Sequence, residues 1–163
     1  MSLGTSKIWH PEKSVILTED IGDNCTIHAP VWIGKDVHIG NNVKIQAFAF
    51  IPDGVTLEDD VFIAPHVCFT NDAKLQVIGK EGWSCTIVRK GAKIGANVTI
   101  RAGVTIGINS IVGCGSVCLR DVPAGETWVG NPAVSMVKSC ACGSSIGIAI
   151  HGKDKCEPAL FII

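Results

Sequence analysis

Every sixth residue from Val15 to Phe69 is apolar. The series runs Val15, Ile21, Ile27, Ile33, Ile39, Ile45, Ile51, Leu57, Ile63 and Phe69, and it resumes at Val88, Ile94, Ile100, Ile106, Val112 and Cys118. The residue two before the beat is usually small or β-branched, as at Val43, Val61 and Val98. Three residues after it turn formers are common, as at Asn42, Asp60 and Asn97. A fixed period with a side-chain type assigned to each phase marks a repeat architecture. A six-residue unit holds about four extended residues and a corner of two. Val43 with Ile45, and Val61 with Ile63, then lie on one face of a strand, because strand side chains alternate. A helix is excluded by the β-branched density and by the missing i, i+3, i+4, i+7 stripe. Short parallel strands joined by corners of constant length make an all-β parallel solenoid.

Composition narrows the function classes. The chain has 163 residues, enough for one domain with a small appendage. Net charge is −1, and only 18% of residues are charged, so no nucleic-acid or membrane surface is expected. The apolar run at the C-terminus is too short to span a bilayer, and no long apolar core follows Met1-Ser2-Leu3 as a signal peptide would require. Eight cysteines would suit a secreted scaffold in a shorter chain, but Cys25 occupies an inward phase. That favours buried thiols and a cytoplasmic location. A chain 47% apolar without a single tyrosine points to surface buried in an oligomer.

The chain divides into an N-terminal cap (1–14), the solenoid (15–118), a return segment (119–138) and a cysteine-containing tail (139–163). In the cap, Ile8, Trp9 and Pro11 would cover the open first coil. In the return segment, Pro123, Gly125, Gly130 and Pro132 end the stack. The beat breaks once. Phe69 and Val88 lie 19 residues apart, one six-residue step plus 13, so a loop over 73–85 leaves a corner and the solenoid resumes in step. A loop that interrupts a regular scaffold is a favoured place for function.

Five stretches stand out: Asp53-Gly54-Val55-Thr56-Leu57-Glu58-Asp59-Asp60-Val61-Phe62, Pro65-His66-Val67-Cys68-Phe69-Thr70-Asn71-Asp72, Lys90 through Ile100, Asp121-Val122-Pro123 and Gly130-Asn131-Pro132-Ala133. With the repeat, they resemble the hexapeptide-repeat acyltransferases, and within them the N-acetyltransferases of nucleotide-linked amino sugars used in surface polysaccharide synthesis. The resemblance covers about 15–138. It implies a left-handed parallel β-helix with three six-residue units per coil, about five to six coils in all. It implies a homotrimer with active sites at subunit interfaces, acetyl-CoA as acyl donor, and transfer to the amine of a nucleotide-linked sugar. The loop here lacks the proline-arginine pair common after Phe-Thr-Asn in that branch.

With three units per coil, Asp53 and Asn71 stand on one corner although 18 residues separate them. Acetyl transfer to an amine needs a neutral nucleophile, a positioned thioester, a donor for the developing oxyanion and a proton for the leaving thiolate. Asn71 is the candidate that orients the amine or the thioester carbonyl. His66 is the candidate base, and Asp53 a candidate acceptor for the sugar amine. Each has a plainer reading as a corner residue. Gln46, Glu58 and Trp83 are candidates for acceptor binding; outward solvated positions also explain the first two. The motifs assign Ala102, Gly103, Ser116, Asn131, Pro132 and Ala133 to the donor, with Arg120 and Lys138 pairing its phosphates.

In relatives of that branch the tail forms a zinc ribbon opening Cys-x-Cys-Gly. Here Cys140, Cys142, His151 and Cys156 lack a closing Cys-x-x-Cys, and no metal is expected. Three other readings remain. One is an acyltransferase of this fold acting on serine, a free sugar or a xenobiotic. Another is a metal-dependent hydratase like the carbonic anhydrases of this fold, for which His28, His38 and His66 have the wrong spacing. The last is a scaffold without chemistry.

Overall fold

The computed structural model of the chain describes residues 5–75 and 82–136. Lys138, the loop residues 76–81 and the tail cysteines and histidine lie outside the described residues. The rest is a three-sided β-solenoid built almost wholly of parallel strands two or three residues long. The first sheet stacks Lys7–Trp9, Thr26–His28, Lys44–Ile45, Phe62–Ile63, Lys93–Ile94, Ile111–Val112 and Thr127–Val129, with Val134–Ser135 added antiparallel at its end. The second stacks Val15–Ile16, Trp32–Ile33, Phe50–Ile51, Cys68–Phe69, Thr99–Ile100 and Val117–Cys118, one strand for each of six coils. The third stacks His38–Ile39, Val55–Leu57, Thr86–Val88 and Thr105–Ile106, extended by bridges from Ile21 to Ile39 and from Ile106 to Val122. This is the left-handed β-helix class that the resemblance implied.

The six-residue beat is the core. Ile27, Ile33, Ile39, Ile45, Ile51, Leu57, Ile63, Phe69, Val88, Ile94, Ile100, Ile106, Val112 and Cys118 are all fully buried. Burying each such side chain contributes about 1.5–3 kcal/mol. The smaller partners two residues earlier, Val31 through Val104, line the same interior. Asn24, Asn42, Asp60, Asn97 and Asn109 sit at corners with φ of 54–60°, the left-handed region that Asn and Asp tolerate better than branched residues. Cys25 is buried as its phase required. Cys118 faces the core, and burial pushes its thiol up to about 11.

The beat starts one residue later than the strict period gives. Val15 pairs with Trp32 and is 46% exposed, while Ile16 pairs with Ile33 and packs on the core. The following corner is one residue short. Thr18 turns inward there and donates its hydroxyl to the Val37 carbonyl at 2.6 Å. Adjacent Val15 and Ile16 are both apolar and β-branched, so periodicity alone cannot choose between them, and a one-residue slip exchanges the two faces. Ahead of them, Ile8 pairs with Ile27 as a rung of the first sheet.

The loop leaves and returns without disturbing register. Val88 pairs with Leu57 and with Ile106. An antiparallel bridge between Asp72 and Trp83 closes the loop's neck, and Ser84 donates its backbone amide to the Asn71 carbonyl at 3.0 Å. Two hydroxyls tie the roots of the loop to the next coil. Thr70 Oγ1 accepts from the Ala102 amide at 2.9 Å, and the buried Thr86 Oγ1 accepts from the Gly103 amide at 3.1 Å. At the far end Trp128 pairs with Val112 and covers the last core rung. Among the described residues no helix is long and apolar enough to cross a membrane.

Candidate active site

Three edges run the length of the prism, and the candidate residues divide among them. The edge between the second and third sheets carries Asp53, Asn71, Ala102, Gly103 and Arg120. It also carries the loop. The edge between the first and second sheets carries Gln46, His66, Ser116 and the turn Asn131-Pro132-Ala133. Glu58 lies on the edge between the third and first sheets.

The loop-bearing edge is built by close backbone stacking. A Cβ added to Gly34 would collide with Asp53, both its carboxylate and its backbone amide, so glycine is required for Asp53 to rest on the coil below. The Asp53 carboxylate accepts from the Asp36 amide at 3.3 Å. One coil on, Asn71 has neither usual reason for a corner asparagine. Its φ is not left-handed, and among the described residues its side-chain amide bonds to nothing. It is half-buried beside the neck of the loop. Trp83 closes that neck and is 37% exposed.

Toward the C-terminal end the same edge opens into a hollow of about 480 Å³, lined by Arg101, Ala102, Gly103, Val104, Leu119, Arg120, Asp121 and Trp128. Among the described residues neither Arg101 nor Arg120 is held in an ion pair; the Arg120 guanidinium lies 6.0 Å from the Trp128 ring centre. Two such guanidinium groups at the mouth of a hollow suit a ligand carrying phosphates.

The other candidates are more constrained. Glu58 is fully engaged: it receives Arg89 at 2.7 Å and the Lys90 amide at 2.8 Å. Ser116 is buried, and its hydroxyl accepts from the Gly130 amide at 3.0 Å. Ala133 is buried, whereas Asn131 and Pro132 are exposed. His66 is exposed with φ of 60°, and its ring lies parallel to Phe48 with centres 4.7 Å apart. Within one chain it is therefore on a different edge from Asn71. Among the described residues no group of three His, Cys, Asp or Glu side chains gathers that could hold a metal.

The bacterial transferase hexapeptide (six repeats) family matches residues 36–71. The chain is 34% identical over 133 residues to "Putative acetyltransferase YJL218W" of Saccharomyces cerevisiae, covering 74% of this chain and 68% of that one. The chain belongs to the hexapeptide-repeat acetyltransferases. It is also 35% identical over 121 residues to galactoside O-acetyltransferase of Escherichia coli K12, covering 69% of this chain but only 60% of that enzyme's length. A shorter match, 47% identical over 66 residues, joins it to dTDP-3-amino-3,6-dideoxy-alpha-D-galactopyranose 3-N-acetyltransferase of Aneurinibacillus thermoaerophilus, covering 40% of this chain and 34% of that one. Among solved structures, a hexapeptide-repeat acetyltransferase of Vibrio cholerae O1 biovar eltor complexed with acetyl coenzyme A superposes with a TM-score of 0.65 at 26% identity, covering 74% of this chain and 71% of that one.

Arg101, Leu119 and Trp128 join the hollow of this hexapeptide-repeat acetyltransferase without having been singled out in the sequence. The available signal was the coil length. Arg101 lies one step past the beat at Ile100, and Leu119 occupies the same place after Cys118.

Proposed function

We propose that the protein is an acetyl-CoA-dependent N-acetyltransferase that acetylates the amino group of a nucleotide-linked sugar for surface polysaccharide synthesis. It acts in the cytoplasm as a homotrimer with its sites at subunit interfaces. The observation that carries this reading is one edge of the prism. There Asn71, whose side-chain amide bonds to nothing among the described residues, stands at the neck of the loop, and Arg101 and Arg120 flank a hollow further along. The 66-residue match to the dTDP-amino-sugar enzyme supports the acceptor class.

Acetyl-CoA supplies an activated acyl group: the amine nitrogen forms the new bond to the carbonyl carbon, the C–S bond breaks, and the thiolate leaves with a proton. The chain's part is positioning and charge. The two arginines hold phosphates at the hollow, with backbone groups of Ala102 and Gly103 beside them. The Asn131-Pro132-Ala133 turn serves the donor from the neighbouring edge, and Ser116 serves by fixing that turn through Gly130; Lys138, outside the described residues, pairs with a donor phosphate. Asn71 orients the amine or the carbonyl oxygen. Asp53, one coil earlier, receives a proton of the sugar amine. Gln46 and Trp83 contact the acceptor at its periphery, and Glu58, held by Arg89 and Lys90 on another edge, is left to the scaffold. His66 reaches the reacting amine only across a subunit boundary, which the trimer provides. No metal takes part.

The test is acetyl-CoA turnover, read as thiol release, over a panel of nucleotide-linked 3- and 4-amino sugars. Turnover with at least one is expected; none with any would overturn the reading. Galactosides in the same panel address the second reading, a sugar O-acetyltransferase, which the Escherichia coli relative favours.

A further inference from the structure

The edge between the first and second sheets has a profile that the fold does not need. Phe48, His66, Asn97 and Gly115 occupy one turn position in four successive coils, all with left-handed φ of 57–69°. The amides of His66, Asn97 and Gly115 each donate to the carbonyl one residue before their equivalent in the preceding coil, at Ala47, Pro65 and Ala96. Glycine and asparagine are the residues that suit such a position. Phenylalanine is not, and steric strain held at one turn calls for a reason outside the turn. Phe48 is 57% exposed, so core packing does not supply that reason.

The four side chains make a step. Phe48 and His66 are parallel rings, 9° apart in orientation. Next along the edge comes the short amide of Asn97. Beyond it Gly115 has no side chain, and a Cβ built there would meet nothing within 4 Å. The ring of His66 thus ends the ring stack, with the Asn97 amide next along the edge and open space beyond it at Gly115. A flat group of similar size, with donors and acceptors on its rim, fits that step. Gln46 lies on the same edge, two residues before Phe48, and offers a second amide.

We propose that Phe48 and His66 form a stacking shelf for a nucleobase, with Asn97 meeting the base edge; His66 then serves the base in place of the reacting amine. The inference rests on the proposed function, because two nucleotides take part in that reaction: the adenosine end of the donor and the nucleoside diphosphate of the acceptor. Both present the same chemistry to the shelf.

Calorimetric titration of the full chain separates them. One arm uses ADP and coenzyme A; the other uses dTDP, UDP and GDP. Binding in at least one arm is expected. Phe48→Ala and His66→Ala should weaken that arm about tenfold, as loss of base stacking does, and leave the other arm unchanged. His66→Phe, which keeps a planar ring and removes the imidazole nitrogens, should bind like the parent. Parent-like binding by both alanine variants would overturn the shelf, as would a His66→Phe variant as weak as His66→Ala. Light scattering on the same samples supplies the remaining check: a change of assembly state in Phe48→Ala would make the rings a contact between copies instead. The shelf and the proposed function fail separately. Selective loss of nucleotide binding without turnover of any nucleotide-linked sugar would retire the acceptor class alone. Turnover with unaltered binding in the ring variants would retire the shelf alone.

Discussion

Two edges of the same prism, built from the same six-residue unit, differ in how many of their polar side chains the scaffold uses. On the edge between the third and first sheets, side-chain oxygens are spent on the neighbouring coil. The Asn41 carbonyl oxygen accepts from the Asp23 amide at 2.8 Å, and the Asp59 carboxylate accepts from the Asn41 amide at 2.8 Å. Asn42 donates to Asp60 at 3.2 Å, Lys90 lies 3.7 Å from both Asp59 and Asp60, and Glu58 is taken by Arg89 and Lys90. On the loop-bearing edge the hydroxyls of Thr70 and Thr86 and the carboxylates of Asp53 and Asp121 take backbone amides of neighbouring coils, but among the described residues the side chains of Asn71, Arg101 and Arg120 are not used in this way. A polar side chain at a corner is therefore no evidence of function in this fold. A polar side chain that the scaffold does not use is.

The largest effect expected from that contrast is on catalysis. Asn71→Ala should lower kcat/KM by about 100-fold, the scale for losing one aimed donor, and leave the melting temperature unmoved. Asn41→Ala, the same change on the other edge, should leave kcat/KM unchanged. Steady-state kinetics beside thermal melts decide it, and equal losses of activity in both variants would erase the distinction between the edges. A smaller effect is expected at the hollow. Arg120→Ala should raise the KM for acetyl-CoA about tenfold, the cost of one charge-assisted hydrogen bond. Added salt should blunt the difference, because the hollow is open to solvent.

The scaffold was legible in the sequence because its physics is local and repeated. Each coil restates the same rule, with an isoleucine inward and an asparagine or glycine at the turn, so the phase at Ile63 predicts the phase at Ile94 across an interrupting loop. The period misplaces the beat at Val15, where two adjacent β-branched residues fit it equally and a short corner decides between them. The site was legible only in part. Stacking put Asp53 and Asn71 on one edge, as expected. It could not show that Glu58 is consumed by Arg89, 31 residues away. Nor did the period reveal that Trp128, Arg120 and Arg101 converge on one hollow. That convergence depends on how the last coil closes, and the closing segment has left the repeat.

A third prediction turns the contrast around and asks what the ladder does contribute. Asn41→Ala removes an acceptor for the Asp23 amide and a side-chain donor to Asp59 at 3.2 Å. The loss should be about 1 kcal/mol, the usual net worth of such a bond, read as a lower urea midpoint at unchanged m-value. The matching change on the loop-bearing edge, Asn71→Ala, should not shift the midpoint.

The smallest effect is a pH dependence confined to the ladder. The Asn41 amide bonds to the Asp59 carboxylate and holds its pKa below the ordinary aspartate value, with Lys90 adding to the same direction. A carboxyl whose pKa is depressed by folding stabilises the native state above its unfolded pKa. That stabilisation is lost as pH falls from the ordinary aspartate range through the depressed value. The urea midpoint of the parent should therefore decline over that acid window. Asp59→Asn keeps an acceptor for the Asn41 amide but cannot titrate, so its midpoint should decline less over the same window. The Asp59 side chain is 40% exposed, so the difference between the two curves should be small and should shrink further in high salt. Parallel curves for parent and variant would mean that the ladder works through the neutral hydrogen bond alone, and that charge at this edge is incidental to the fold.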